Sequence, residues 1–129
     1  MAKTVLLADD HDDNRTALLM VLERAGYRTI GAENGRLAVE LARRHLPDLV
    51  VMDLAMPVMD GREATRQLKA DARTRHIPVI MLTAMALSVD RDRLESDGFD
   101  GLLIKPCLPP SFLAEVRRRI GAPGRPSAP

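Results

Sequence analysis

Leu49-Val50-Val51-Met52-Asp53-Leu54-Ala55-Met56-Pro57 decides the fold of this chain. Four consecutive apolar residues run straight into an aspartate, and a proline follows shortly after. A strand that is apolar throughout, rather than at alternate positions, belongs in a parallel sheet covered on both faces. The same pattern recurs on either side. Val5-Leu6-Leu7-Ala8 stops at Asp9-Asp10, Val79-Ile80-Met81-Leu82 runs into Thr83, and Gly101 to Ile104 runs into Lys105-Pro106. Arg28 to Ala32 completes a set of five strands.

Amphipathic stretches of helical period lie between them. Asp13 to Ala25 reads as a helix with Ala17, Leu18, Val21, Leu22 and Ala25 on one face and Gly26 as its stop. Gly35 to His45 turns Leu37, Ala38, Leu41 and Ala42 inward and ends before Pro47. Asp60 to Asp71 is helical, Val89 to Asp97 is a shorter and more charged helix, and Ser111 to Ile120 carries Phe112, Leu113, Val116 and Ile120 at helical spacing. Strict alternation of strand and helix predicts an α/β domain with a doubly wound five-stranded parallel sheet. Sites in such domains lie outside the carboxyl ends of the strands.

A length of 129 residues suits one domain, and 46% apolar with 29% charged residues suits a soluble one. No apolar run approaches the roughly 18 residues of a membrane span, and Met1-Ala2-Lys3 has no signal-peptide character. Cys107 is the single cysteine, so no internal disulfide can form, and a reducing, cytoplasmic setting is expected. A net charge of +1 argues against nucleic acid as partner, and the scarcity of aromatics (Tyr27, Phe99, Phe112) removes base-stacking surfaces. Arginines outnumber lysines sixteen to three, a bias that genome composition explains, and it makes a lysine at a special position notable.

Asp9 and Asp10 end the first strand, Asp53 the third, Thr83 the fourth, and Lys105 the fifth. Three carboxylates on one sheet edge repel one another unless a cation is present. Mg²⁺, a hard ion that keeps several waters, fits a few carboxylates and a phosphate. The three aspartates, the metal and Lys105 then sum to zero charge, a site ready for a phosphoryl group. Lys105 offers a point charge to phosphate oxygens and Thr83 a rotatable hydroxyl. Each residue alone has an ordinary explanation. A single Asp after a strand is usually a turn former, Asp12 and Asp13 cap and charge a helix start, Asp60 caps another, and His11, His45 and His76 are not promising catalytic groups. The coincidence of all the strand ends is what those explanations cover badly.

The set Asp9-Asp10, Asp53 within Val51 to Pro57, Asp60-Gly61, Pro78-Val79-Ile80 running into Thr83-Ala84, and Lys105-Pro106 resembles the receiver domain of two-component response regulators over residues 3–120. That resemblance implies a flavodoxin-like (βα)5 fold with strand order 2-1-3-4-5. It implies Asp53 as phosphoacceptor, with Mg²⁺ held by Asp10, Asp53 and the Ala55 carbonyl, and by Asp9 mainly through water. Thr83 and Lys105 would hold phosphoryl oxygens, and the Lys105-Pro106 peptide would be cis. The implied donor is a sensor histidine kinase or histidine phosphotransfer protein, the output is docking to a downstream protein, and the chain would be a monomer or weak homodimer that is not itself an enzyme toward other substrates. Four positions depart from the family pattern. Leu102 stands where an aromatic is usual, Cys107 where phenylalanine is frequent, and Ala55 and Met85 flank the site without polar side chains. Cys107 is expected to be a partly buried, inert thiol rather than a redox sensor.

Three rival functions fit the sequence less well. An aspartyl-phosphate hydrolase needs a second acid two residues after the nucleophile, where this chain has Ala55. A flavin or nucleotide binder needs a glycine-rich loop after the first strand, where this chain has acids. A phosphorylation-independent adaptor would not need the complete Asp-Asp-Asp-Thr-Lys set. The domain is expected to span residues 1–121, with 122–129 a disordered Pro/Gly-rich tail and no output domain.

Overall fold

The computed structural model describes residues 2–84 and 91–124, with backbone alone at 91–93. Its elements alternate as β1 (Thr4–Ala8), α1 (Asp12–Arg24), β2 (Arg28–Ala32), α2 (Gly35–His45), β3 (Leu49–Asp53), α3 (Gly61–Ala70), β4 (Val79–Thr83), α4 (Arg91–Asp97), β5 (Gly101–Ile104) and α5 (Pro109–Ile120). The strands form one parallel sheet in the order β2-β1-β3-β4-β5. This is the doubly wound arrangement that the apolar strands predict.

Strand periodicity divides the core in two. Successive side chains point to opposite faces, so Leu6, Val50, Met52, Val79 and Met81 pack with α2 and α3 residues such as Ala38, Ala64 and Leu68. Val5, Leu7, Val51, Ile80 and Leu82 pack with Leu18 and Leu22 of α1 and Phe112 and Val116 of α5. Every residue of β3 and β4 is buried, whereas the edge strands β2 and β5 are partly exposed, because an edge strand has a neighbour on one side only.

Local chemistry sets the helix ends. Gly26, at φ 104°, follows the C-cap of α1 and supplies the left-handed residue that closes the helix. Asp60 caps α3 by accepting the Glu63 N–H at 2.9 Å. Three expectations need correction. Ala17 is exposed, at the margin of the apolar stripe of α1 rather than in it. Helix α5 starts at Pro109, two residues before Ser111, because proline's missing N–H costs nothing in a first turn. Asp12 and Asp13 occupy the first turn of α1, where they favour the macrodipole, but the N-cap is His11.

The expected start of α4 at Val89, together with Met85 and the rest of 85–90, lies outside the described residues, as do 125–129 of the tail. At the start of that tail, the Pro123 carbonyl accepts the Lys3 N–H at 2.7 Å. Among the described residues, no helix is long and apolar enough to cross a membrane.

Candidate functional site

Strand register assembles the site. Ala8 pairs with Met52, so Asp9 and Asp53 emerge side by side at the sheet's carboxyl edge, where β1 lies between β2 and β3 and the winding reverses. Thr83 pairs with Ile104, and the Lys105 N–H donates to the Thr83 carbonyl at 2.8 Å, which brings Lys105 over the same edge. The Lys105-Pro106 peptide is cis, as the resemblance implies.

Lys105 Nζ lies between two buried carboxylates, donating to Asp53 Oδ2 at 2.9 Å and to Asp9 Oδ2 at 3.1 Å. Asp9 also accepts from the His11 N–H at 2.9 Å and from the Asn14 side-chain amide. Burial opposes ionisation of Asp9, yet these donors outweigh it and hold its carboxyl below the ordinary range. Asp53 differs. Burial pushes its carboxyl up, the charge of Asp9 adds to that, and neither Lys105 nor the Ala55 N–H fully offsets them. For Lys105, burial favours the neutral form, but hydrogen bonds to Asp53 and Asp9 hold the ammonium's pKa above its ordinary value. Thr83 is buried at the end of β4.

The loop carrying Asp53 into α3 is closed by glycines that cannot be replaced without moving backbone. A Cβ on Gly61 would stand 2.1 Å from the Asp53 carbonyl oxygen, and one on Gly35 would stand 2.3 Å from the Met59 carbonyl oxygen. Gly61 N–H donates to Leu54 O at 2.9 Å and Gly35 N–H to Met59 O at 3.0 Å. Between them, Val58 adopts φ 67° with a Met59 N–H to Pro57 carbonyl bond of 2.7 Å across it. A positive φ is a strained conformation for a β-branched residue.

Asp10 lies beside this pair, with its side chain 29% exposed. Its Oδ1 is out of reach of solvent yet has no hydrogen-bond partner. Asp9, Asp10, His11 and Asp53 each offer one ligand atom, and these atoms all lie within 4.8 Å of one another. The carboxylates form an oxygen-rich set with an unsatisfied oxygen, which fits a hard divalent cation such as Mg²⁺. The structure therefore brings together Asp9, Asp10, Asp53 and Lys105, with Thr83 and Ala55 on the adjoining strand end and loop. Beside them is a cleft of about 410 Å³ lined in part by His11, Asn14, Lys105, Pro106 and Cys107. Cys107 is partly buried, and burial pushes its thiol up. Leu102 packs against the core on the α2 and α3 side. Met85 lies outside the described residues.

Residues 5–117 match the family described as the response regulator receiver domain. The chain is a member of that family. This receiver domain is 38% identical over 121 residues to the polar-differentiation response regulator DivK of Brucella anthropi, across 94% of this chain and 98% of that protein. It superposes on the Vibrio cholerae chemotaxis protein CheY4 with a TM-score of 0.87 and 28% identity, covering 92% of this chain and 99% of that one. The receiver domain of sensor histidine kinase PA1611 from Pseudomonas aeruginosa, with magnesium coordinated in its active-site cleft, gives a TM-score of 0.86 and 35% identity over 94% and 99% of the two chains.

Two residues of the receiver site escaped sequence reasoning. Asn14 and His11 both reach back to Asp9, from the first turn and the N-cap of α1. The available signal was position: both lie within five residues of Asp9, on the element that must leave the same sheet edge.

Proposed function

We propose that this receiver domain is a response regulator that accepts a phosphoryl group on Asp53 from a phosphohistidine donor and signals by phosphorylation-dependent docking. One observation carries this: Asp53 is buried at the centre of the sheet edge with its carboxylate on Lys105 and beside Asp9. Asp10, Asp53 and the Ala55 carbonyl would hold Mg²⁺, and Asp9 would act on it through water. When bound, that ion offsets negative charge on the acids and on phosphoryl oxygens.

Asp53 attacks phosphorus in line, forming an O–P bond as the donor's N–P bond breaks and its imidazole leaves with the electron pair. Lys105 follows the developing charge on one equatorial oxygen and the Thr83 hydroxyl donates to another. Ala55, two residues after the nucleophile, offers no side-chain acid or amide to align a hydrolytic water, so the acyl phosphate persists and its removal depends on a partner. The donor is a sensor histidine kinase or histidine phosphotransfer protein, the setting is the cytoplasm, and the chain acts as a monomer or weak homodimer.

Incubation with a phosphorylated donor domain and Mg²⁺ tests this. Wild type should take up phosphate, and Asp53→Asn should not. Uptake by Asp53→Asn at the wild-type rate would overturn the assignment.

A further inference from the structure

We propose that His11 is a ligand of the cation held by Asp10 and Asp53, giving the site one nitrogen donor and a preference for first-row transition ions over Mg²⁺. This rests on the cation site proposed above and adds a residue to it.

His11 neither caps its helix through its side chain nor joins the core. It occupies the N-cap of α1, where Ser, Thr, Asp and Asn are favoured because their side chains accept a helix N–H, and it makes no such bond. Its side chain is 72% exposed, so it contributes nothing to the core. The backbone, in contrast, is fixed: His11 N–H donates to Asp9 Oδ1, and its carbonyl accepts the Arg15 N–H at 2.9 Å. Arg15 also clamps the preceding segment by donating to the Asp9 carbonyl at 2.8 Å. The imidazole therefore starts from a backbone fixed beside the acids.

Its Nδ1 stands 3.2 Å from Asp10 Oδ1 and 3.4 Å from Asp9 Oδ1. The Asp10 oxygen makes an ion-pair contact with the imidazole but has no well-aligned hydrogen bond, so a nitrogen and an oxygen donor atom lie side by side. An octahedral cation with bonds near 2.1 Å has adjacent ligands about 3 Å apart and opposite ligands about 4.2 Å apart. The 3.2 Å separation of His11 Nδ1 from Asp10 Oδ1 matches adjacent vertices, and the ligand atoms of His11, Asp10 and Asp53 all lie within 4.8 Å of one another, about half an ångström beyond the full span. A small side-chain movement brings the imidazole and the two carboxylates onto one ion. Nitrogen adds little for Mg²⁺, whereas imidazole suits Mn²⁺, Co²⁺, Ni²⁺ and Zn²⁺ and increasingly favours the later ions.

The test is direct. Pulsed EPR of the Mn²⁺-loaded protein should show coupling to a directly bound ¹⁴N in wild type and none in His11→Ala. By calorimetry, His11→Ala should lower the ratio of Ni²⁺ to Mg²⁺ affinity by at least about tenfold, the scale on which even outer-sphere partners act. Mn²⁺ bound without nitrogen coupling in wild type, or an unchanged ratio, would overturn the role of His11 and leave the carboxylate site standing. Failure of both Mg²⁺ and Mn²⁺ to bind wild type in an Asp10-dependent manner would overturn the cation site itself.

Discussion

Gly61→Ala is the smallest change that loads the site's framework. The new methyl carbon would stand 2.1 Å from the Asp53 carbonyl oxygen, 3.0 Å from its carbon and 3.1 Å from Leu54 Cα. All three are backbone atoms, so no rotamer change relieves the clash. Moving the carbonyl oxygen out to 3.0 Å requires a shift of about 0.9 Å, and a similar displacement would break the 2.9 Å bond from Gly61 N–H to Leu54 O. Losing that bond costs about 1 kcal/mol, and overpacking costs about 1–3 kcal/mol more. Reduced freedom of the unfolded chain returns about 0.4–1 kcal/mol. The expected net is a destabilisation of about 2 kcal/mol, or roughly 5–10 °C in Tm for a domain of this size. The chain has no tryptophan, so far-UV circular dichroism during urea unfolding is the assay. The displaced carbonyl belongs to Asp53, so Mg²⁺ affinity should fall in the same variant. Stability within about 0.5 kcal/mol of wild type, with unchanged Mg²⁺ affinity, would refute the reasoning.

Val58→Gly should stabilise the fold: the residue is 76% exposed at φ 67°, relief of left-handed strain is worth about 1–2 kcal/mol, and glycine's added freedom takes back about 0.5–1 kcal/mol. A lower urea midpoint than wild type would contradict this. Lys105→Arg should keep the fold but slow phosphorylation, because a compact ammonium holds two carboxylates at 2.9 and 3.1 Å where a planar fork has a different reach; an unchanged labelling rate counts against it. Arg73, through its side chain and its N–H, and then Arg43 lower Asp71 from 3.8 to about 2. A lowered carboxyl stabilises the folded state fully above its unfolded value, and that contribution disappears as pH falls from about 4 through 2. NMR titration of the Asp71 carboxyl carbon checks this, and a midpoint near 4 would refute it.

The sheet was legible because burial on both faces leaves an unmistakable trace: Val5–Ala8, Leu49–Met52 and Val79–Leu82 are apolar at every position and buried at every position. Parallel register then places whatever follows each strand on one edge, which is why the sequence alone groups Asp9, Asp53, Thr83 and Lys105. Less legible were features set by contacts distant in sequence or by the rotation of a helix. Gly35 meets Met59 across the loop between β3 and α3, and nothing near Gly35 signals it. The left-handed Val58 runs against the preference of its own side chain. His11 reads as an unpromising group between acids, since its approach to them depends on how the start of α1 turns its side chain.

Chemical trapping of the acyl phosphate tests the central claim most directly. After incubation with Mg²⁺ and a small acyl phosphate donor, borohydride reduces an aspartyl phosphate to homoserine, which peptide mass spectrometry then places in the sequence. Homoserine should appear at position 53, should require the cation, and should be absent from Asp53→Asn. Homoserine at Asp9 or Asp10 instead, or none in wild type under conditions that label a known receiver domain, would contradict the assignment of Asp53 as phosphoacceptor.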